Sequence, residues 1–339
     1  MLSQEERWLL KEKYGGEKSF GFFADCKRLA AGEPLGYVIG WVPFLGCTIY
    51  LDNHPLIPRP ETEYWVEKAI NHICRHTGKT CAQDCPSANK DILVAAQDCP
   101  SGNKDILDRH DRNAQESPGR DRSTSQHRTF PGTDFRTFPG TDILGTDRSF
   151  LGRDSLGKDK TGNDATRIRV LDLCAGSGCI GVAVARHVPG ARVDFGEVDP
   201  CLLSTIEKNL AENTTKTASE DLSVNRKVWL SDLFESITET YDFILSNPPY
   251  IDPALDRADA SVREHEPHGA LYGGQGGLEL ITRIIAGASA HLTPGGELWL
   301  EHEPEQTTAI SELARTSGLS CNTHQDQYKT ERYSILVLQ

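Results

Sequence analysis

The stretch Val170-Leu-Asp-Leu-Cys-Ala-Gly-Ser-Gly-Cys-Ile-Gly181 runs an apolar strand into a glycine turn and then into a helix. No other segment limits the possible folds so tightly. A strand that is apolar on both faces must be covered on both faces, so it belongs inside a sheet between two helical layers. The chain after it keeps to that plan. Strand candidates at 168–173, 191–195, 228–230, 241–246, 296–300 and 333–338 alternate with helix candidates at 179–187, 200–212, 277–292 and 303–316. Such alternation predicts an α/β fold with a mostly parallel sheet. Ligands in sheets of this kind bind beyond the carboxyl ends of the strands.

Ahead of this unit, 5–26 reads as helical, with Trp8, Leu9, Leu10, Phe20, Phe22 and Phe23 available for packing. The stretch 42–51 is rich in β-forming residues and reads as a hairpin. Trp65, Val66, Ala69, Ile70 and Ile73 then recur at helical spacing. Between 76 and 167 the character changes: Gln83 to Leu93 recurs almost unchanged at Gln97 to Leu107, and Arg128 to Asp134 recurs at Arg136 to Asp142. Asp, Arg, Gly, Ser and Thr dominate there, a composition that cannot bury enough apolar surface to offset chain entropy. The expected organisation is a short helical region at 1–33, a β-hairpin linker and following helix at 34–75, a flexible, disordered insertion at 76–167, and a catalytic domain at 168–339.

The formal net charge is −13. The insertion's Lys and Arg balance its Asp and Glu, so the acidity belongs to the ordered parts. Binding to a phosphate backbone needs clustered Lys and Arg, so direct nucleic-acid binding is not expected. The ten cysteines include no Cys-x-x-Cys and read as reduced thiols that hold no metal. Residues 1–18 mix acids and bases without an apolar core, and no apolar run approaches the roughly 20 residues of a membrane span. A cytoplasmic, soluble protein is the expectation.

Four strand ends carry the chemistry. At the first, Gly176 and Gly178 let the backbone approach a ligand closely, and Asp172 just before the loop suits a cationic amino-acid tail better than a pyrophosphate. The second ends in Glu197-Val-Asp-Pro200. There Asp199 is the choice for hydrogen-bonding a ribose diol, although the same position also suits a helix N-cap. After the third, Asp232 could accept from an adenine amino group with Leu233 or Phe234 against the ring; a solvated loop acid fits equally well. After the fourth comes Asn247-Pro248-Pro249-Tyr250. Two prolines fix the backbone and remove two donors, so the Asn247 side-chain oxygen and the Pro248 carbonyl can accept both hydrogens of a substrate –NH2. Tyr250 offers a flat face to a planar group. His302 reads as a partly exposed strand-end histidine, because no ligand pair at metal spacing accompanies it.

Asn-Pro-Pro-Tyr on such a core resembles two groups, the adenine-N6 DNA methyltransferases and the PrmC/HemK glutamine methyltransferases. Pro34-Leu-Gly-Tyr-Val-Ile-Gly40, Leu56-Ile-Pro-Arg-Pro-Glu-Thr-Glu63 and Glu266-Pro-His-Gly-Ala-Leu-Tyr-Gly-Gly-Gln-Gly-Gly-Leu278 are similar to stretches of the second. That resemblance covers about 34–75 and 168–339. It implies a Rossmann-like class I S-adenosylmethionine-dependent methyltransferase sheet. The implied reaction is in-line methylation of the side-chain amide in the Gly-Gly-Gln loop of peptide chain release factors, by a monomer. Carried onto this chain, Cys174, Ala175, Gly176, Ser177, Gly178 and Asp199 would hold S-adenosylmethionine, with Leu233 beside the adenine. Asn247 to Tyr250 would hold the glutamine amide. Pro58, Arg59, Pro60, Glu61 and Thr62 would close the site, Arg59 in a structural role. The alternative is an adenine-N6 methyltransferase acting on DNA or RNA.

Overall fold

The computed structural model describes residues 2–77, 167–188, 190–214, 226–255 and 258–339. The expected insertion at 76–167 lies outside the described residues except at its two ends.

The larger sheet has seven strands: β3 (Arg169–Leu173), β4 (Arg192–Glu197), β5 (Val228–Leu230), β6 (Tyr241–Ser246), β7 (Leu292–Glu301), β8 (Leu319–Gln325) and β9 (Glu331–Leu338). Their order is β5-β4-β3-β6-β7-β9-β8. The five from β5 to β7 run parallel, and β9 is antiparallel to both β7 and β8. β8 is the strand that the sequence reading lacked. It lies at the sheet edge, where only alternate residues need be apolar, and Ser320, Asn322 and His324 hide its pattern. β7 also starts earlier than expected, passing through Pro294 and Gly295. Its pairing with β6 shifts register there, which accommodates a proline inside a strand.

Side chains alternate between two cores. Val170, Val193, Phe195, Phe243, Leu245 and Trp299 face one, where they meet α4 (Pro60–Thr77) and α5 (Cys179–His187). Leu171, Leu173, Ile244, Leu298 and Leu300 face the other, under α8 (Glu279–His291) and α9 (Thr307–Thr316). On α8, Ile281, Ile284, Ile285 and Ala288 are fully buried at i, i+3, i+4 and i+7. Truncating one such isoleucine to alanine costs about 2–5 kcal/mol. A short helix, α7 (Ala260–His265), precedes α8.

The single helical stretch expected at 5–26 is two helices, α1 (Gln4–Glu12) and α2 (Phe20–Ala30). Gly15 and Gly16, at φ +58° and +91°, end the first, and Ser19 caps the second by accepting from the Phe22 N–H at 3.2 Å. After α3 (Leu35–Ile39), β1 (Trp41–Phe44) and β2 (Cys47–Tyr50) form the expected hairpin. Two asparagines of α6 (Pro200–Thr214) satisfy its open edge. The Asn209 amide exchanges hydrogen bonds with the Tyr50 backbone, and Asn213 does the same with Thr48. The match is geometric. Four helical residues rise about 6 Å and two strand residues about 6.6 Å, so each asparagine stands in for one residue of a neighbouring strand.

Candidate active site

The loop after β3 is built on local acids. Gly176 donates its N–H to Glu197 Oε2 at 2.7 Å, Gly181 donates to Asp172 Oδ2 at 2.7 Å, and Asn209 Nδ2 donates to the Ser177 carbonyl at 2.9 Å. A Cβ on Gly181 would stand 2.3 Å from the Phe195 ring, so only glycine lets α5 sit this close to β4. A Cβ on Gly176 would meet nothing within 4 Å, which leaves the loop's outer side clear for a ligand. Cys174 holds a positive φ of 61°. Burial, with the charge of Glu197, pushes its thiol up to about 12, so it packs as a neutral group.

Three sequence assignments shift on this geometry. Asp172 is completely buried beneath the loop rather than facing a ligand's cationic tail directly. Burial lifts its carboxyl to about 8, with the Gly181 amide opposing and Glu197 adding to the rise. Its Oδ1 has no hydrogen-bond partner. Asp199 is exposed and takes the N-cap role, accepting from the Cys201 N–H at 2.9 Å. Glu197, set aside on sequence grounds, is the acid at the strand end beside the loop. It is 7% exposed, with Oε1 accepting from both Val198 and Asp199 N–H groups at 2.9 Å. The third change lies after β5. Phe234 stacks on His291, with ring centroids 4.4 Å apart, so of the two candidates for a ring contact only Leu233 is left at the loop. Leu233 is held at φ +51°, and Asp232 pairs with Arg283 at 3.0 Å.

The loop after β6 is held from much further along the chain. Asn247 Nδ2 donates to Thr62 Oγ1 at 3.1 Å, and Thr62 donates on to Glu301 Oε2 at 2.8 Å. Trp65 Nε1 donates to the same oxygen at 2.6 Å, and the Tyr250 hydroxyl donates to Oε1 at 2.9 Å. Glu301 is fully buried at the end of β7. Burial raises its carboxyl, and the three donors work against that rise. The network fixes the Asn247 amide with its nitrogen toward Thr62, leaving the side-chain oxygen as the free acceptor. Tyr250 is likewise tethered through its hydroxyl, which burial and Glu301 hold neutral far above the usual phenol range.

The glycine segment before α8 seats the same loop. Gln306 Nε2 donates to the Tyr250 carbonyl at 2.8 Å and to the Gly276 carbonyl at 2.9 Å. A Cβ on Gly277 would lie 1.8 Å from the Tyr250 carbonyl oxygen. Arg59 pairs with the buried Glu266 at 2.6 Å, whose other oxygen accepts the Ile57 N–H at 3.2 Å. The two sequence stretches carrying Arg59 and Glu266 therefore meet in space. Glu301, Gln306 and Asn209 were missed from sequence. The one signal available was Glu301, an acid closing an apolar strand as Asp172 does. His302 is fully buried rather than partly exposed, its ring nitrogens taken up by Ser334 Oγ and the Glu303 carbonyl, both at 2.8 Å.

Five parallel strands closed by an antiparallel hairpin, with a glycine loop after the central strand and an acid ending its neighbour, define the class I S-adenosylmethionine-dependent methyltransferase fold. The family profile described as methyltransferase small domain matches residues 160–263. The chain is similar to the release factor glutamine methyltransferase of Gloeobacter violaceus, 41% identical over 155 residues, covering 45% of this chain and 52% of that protein. It is 34% identical over 166 residues to the release factor glutamine methyltransferase of Chlamydia trachomatis serovar D, covering 49% and 54%. It is also 35% identical over 149 residues to the 4-amino-L-phenylalanine/4-methylamino-L-phenylalanine methyltransferase of Streptomyces pristinaespiralis, covering 44% and 48%. The chain spans about half the length of the curated relatives it matches. No helix among the described residues is long and apolar enough to cross a membrane.

Proposed function

We propose that this chain transfers the methyl group of S-adenosylmethionine to the side-chain amide nitrogen of the glutamine in a release factor's Gly-Gly-Gln loop. The observation that carries the reading is the Asn247 amide, turned by Thr62 so that its oxygen alone is free. An amide nitrogen is a weak nucleophile, so positioning supplies much of the rate. Asn247 Oδ1 and the Pro248 carbonyl accept the two N–H hydrogens. Both bonds strengthen as positive charge develops on nitrogen, which favours the transition state over the bound substrate. The N–C bond forms as the S–C bond breaks, and one amide proton leaves to solvent. Tyr250, tethered by its hydroxyl, serves as a wall and not as a base.

The residues after β3, β4 and β5 suit the co-substrate. Glu197 accepts from the ribose hydroxyls, and Leu233 lies beside the adenine with Asp232 within reach of its amino group. Loop amides 174–178 line the methionine part, and Asp172 stiffens that loop from below through Gly181. The reading carries with it a cytoplasmic monomer whose partner is a protein.

The test is methyl transfer from labelled S-adenosylmethionine to a purified release factor, beside its loop glutamine-to-alanine variant, a DNA duplex and 4-amino-L-phenylalanine. Label on the wild-type factor alone supports the reading. Label on DNA returns the adenine-N6 alternative. Label on the arylamine alone moves the substrate to a small aromatic amine, which the similarity to the Streptomyces pristinaespiralis enzyme makes a specific competitor.

A further inference from the structure

We propose that His72, His76 and Glu297 form a binding site for one divalent transition-metal ion of the zinc class, remote from Asn247. The site follows from how α4 lies on β7. Glu297, Trp299 and Glu301 alternate onto one face of β7. Thr62 and Trp65, in the first turns of α4, meet Glu301, whereas His72 meets Glu297. The helix thus runs antiparallel to the strand, and His72, towards its carboxyl end, reaches the middle of β7.

His72 and His76 are one helical turn apart and share a face. One ligand atom from each of the three residues lies within 4.8 Å of the other two. An ion with bonds of about 2.0–2.1 Å sets tetrahedral ligand atoms roughly 3.3 Å apart, so small rotamer adjustments close the cage. Two of the three ligands are already aimed by a further hydrogen bond, as metal ligands usually are. His76 Nδ1 donates to the His72 carbonyl at 3.0 Å, which leaves Nε2 as a lone-pair donor. Trp299 Nε1 donates to Glu297 Oε2 at 2.8 Å, which leaves Oε1 turned to His72 Nε2 at 2.9 Å. The Phe243 and Trp299 rings flank the imidazoles, and the Glu297 side chain is 13% exposed.

Two imidazoles and one carboxylate select zinc, cobalt or nickel over magnesium or calcium. Solvent completes the shell. The ion would tie the last turns of α4 to β7 and take no part in methyl transfer.

The experiment is titration of the metal-free full chain with Zn2+ by calorimetry, with Co2+ spectra and thermal melts alongside. Binding of one equivalent, a raised melting temperature and Co2+ bands without thiolate charge transfer are expected. His76→Ala and Glu297→Gln should each weaken binding at least about tenfold and cancel the thermal gain. His76 is exposed near the helix end, so His76→Ala should melt as the wild type does without metal, which separates lost binding from lost folding. Equal binding by wild type and a His72→Ala/His76→Ala double variant would overturn the proposal. So would thiolate charge-transfer bands, or no uptake by the wild type.

Discussion

The loop after β3 and the loop after β6 leave neighbouring strands of one sheet, yet they are held by different means. The first is fastened to partners 9, 21 and 32 residues away: Asp172, Glu197 and Asn209. The second is fastened to partners 185, 51 and 56 residues away: Thr62, Glu301 and Gln306. A loop held locally keeps its shape whenever its own strand–helix unit forms. A loop held by remote side chains is in place only once the hairpin linker, α4 and the last strands have all docked. Damage to the first should therefore appear as lost co-substrate affinity, and damage to the second as lost turnover.

Asn247→Ala should give the largest effect. It removes the acceptor that strengthens in the transition state, and methyl transfer should fall on the order of 10³-fold, with the S-adenosylmethionine Kd moving far less in calorimetry. Thr62→Val is the sharper test, because Thr62 touches no substrate in the proposed scheme. Freed from Thr62, Asn247 can rotate, and kcat should fall roughly 10- to 100-fold. One donor lost to the buried Glu301 should cost about 1–3 kcal/mol in urea unfolding. Thr62→Ser should recover most of both. A Thr62→Val enzyme of normal kcat would break the contrast between the loops.

On the other loop, Glu197→Gln should raise the S-adenosylmethionine Kd about 10- to 100-fold, the range of a lost charge-assisted hydrogen bond. Asp199→Ala should leave Kd within about twofold and cost only about 1 kcal/mol as a lost helix cap. The reverse pattern would return the ribose contact to Asp199.

A further effect, on stability and not on turnover, is pH-dependent. The Asp172 carboxyl is raised to about 8 in the folded protein by burial, with the Gly181 amide opposing and Glu197 adding. A carboxyl raised on folding stabilises fully below its unfolded value near pH 4, and that contribution is lost as pH climbs through about 8. Asp172→Asn cannot ionise. It should melt close to wild type at about pH 5 and a few degrees above it at about pH 9, as thermal melts at the two values would show.

What could be read from sequence follows the same division. The glycine loop, its flanking strand and helix, and Asn247 to Tyr250 are contiguous, so residue order displays them. Between Glu197 and Asp199 order alone favoured Asp199, since a helix N-cap and a strand end fall two residues apart; the structure sets Asp199 at the cap and Glu197 against the glycine loop. Glu301 and Gln306 acquire meaning only from what packs on them, and β8 hid because an edge strand needs few apolar residues. The His72–His76 pair was passed over in the sequence, and its third member comes from a strand 225 residues away along the chain.

The course of α4 has a consequence for how such a chain can change over generations. Its first turns carry Thr62 to the reactive end of the sheet, and His76 near its last turn rests on Phe243, which pairs with Val170 at the start of β3. The chain therefore leaves the helix and re-enters the sheet on the side turned away from the chemistry. Tandem duplications such as Gln83 to Leu107 add length between two points whose spacing the fold already fixes. The spacing between Thr62 and Asn247 is set by α4 and the sheet themselves, through the Asn247–Thr62 hydrogen bond.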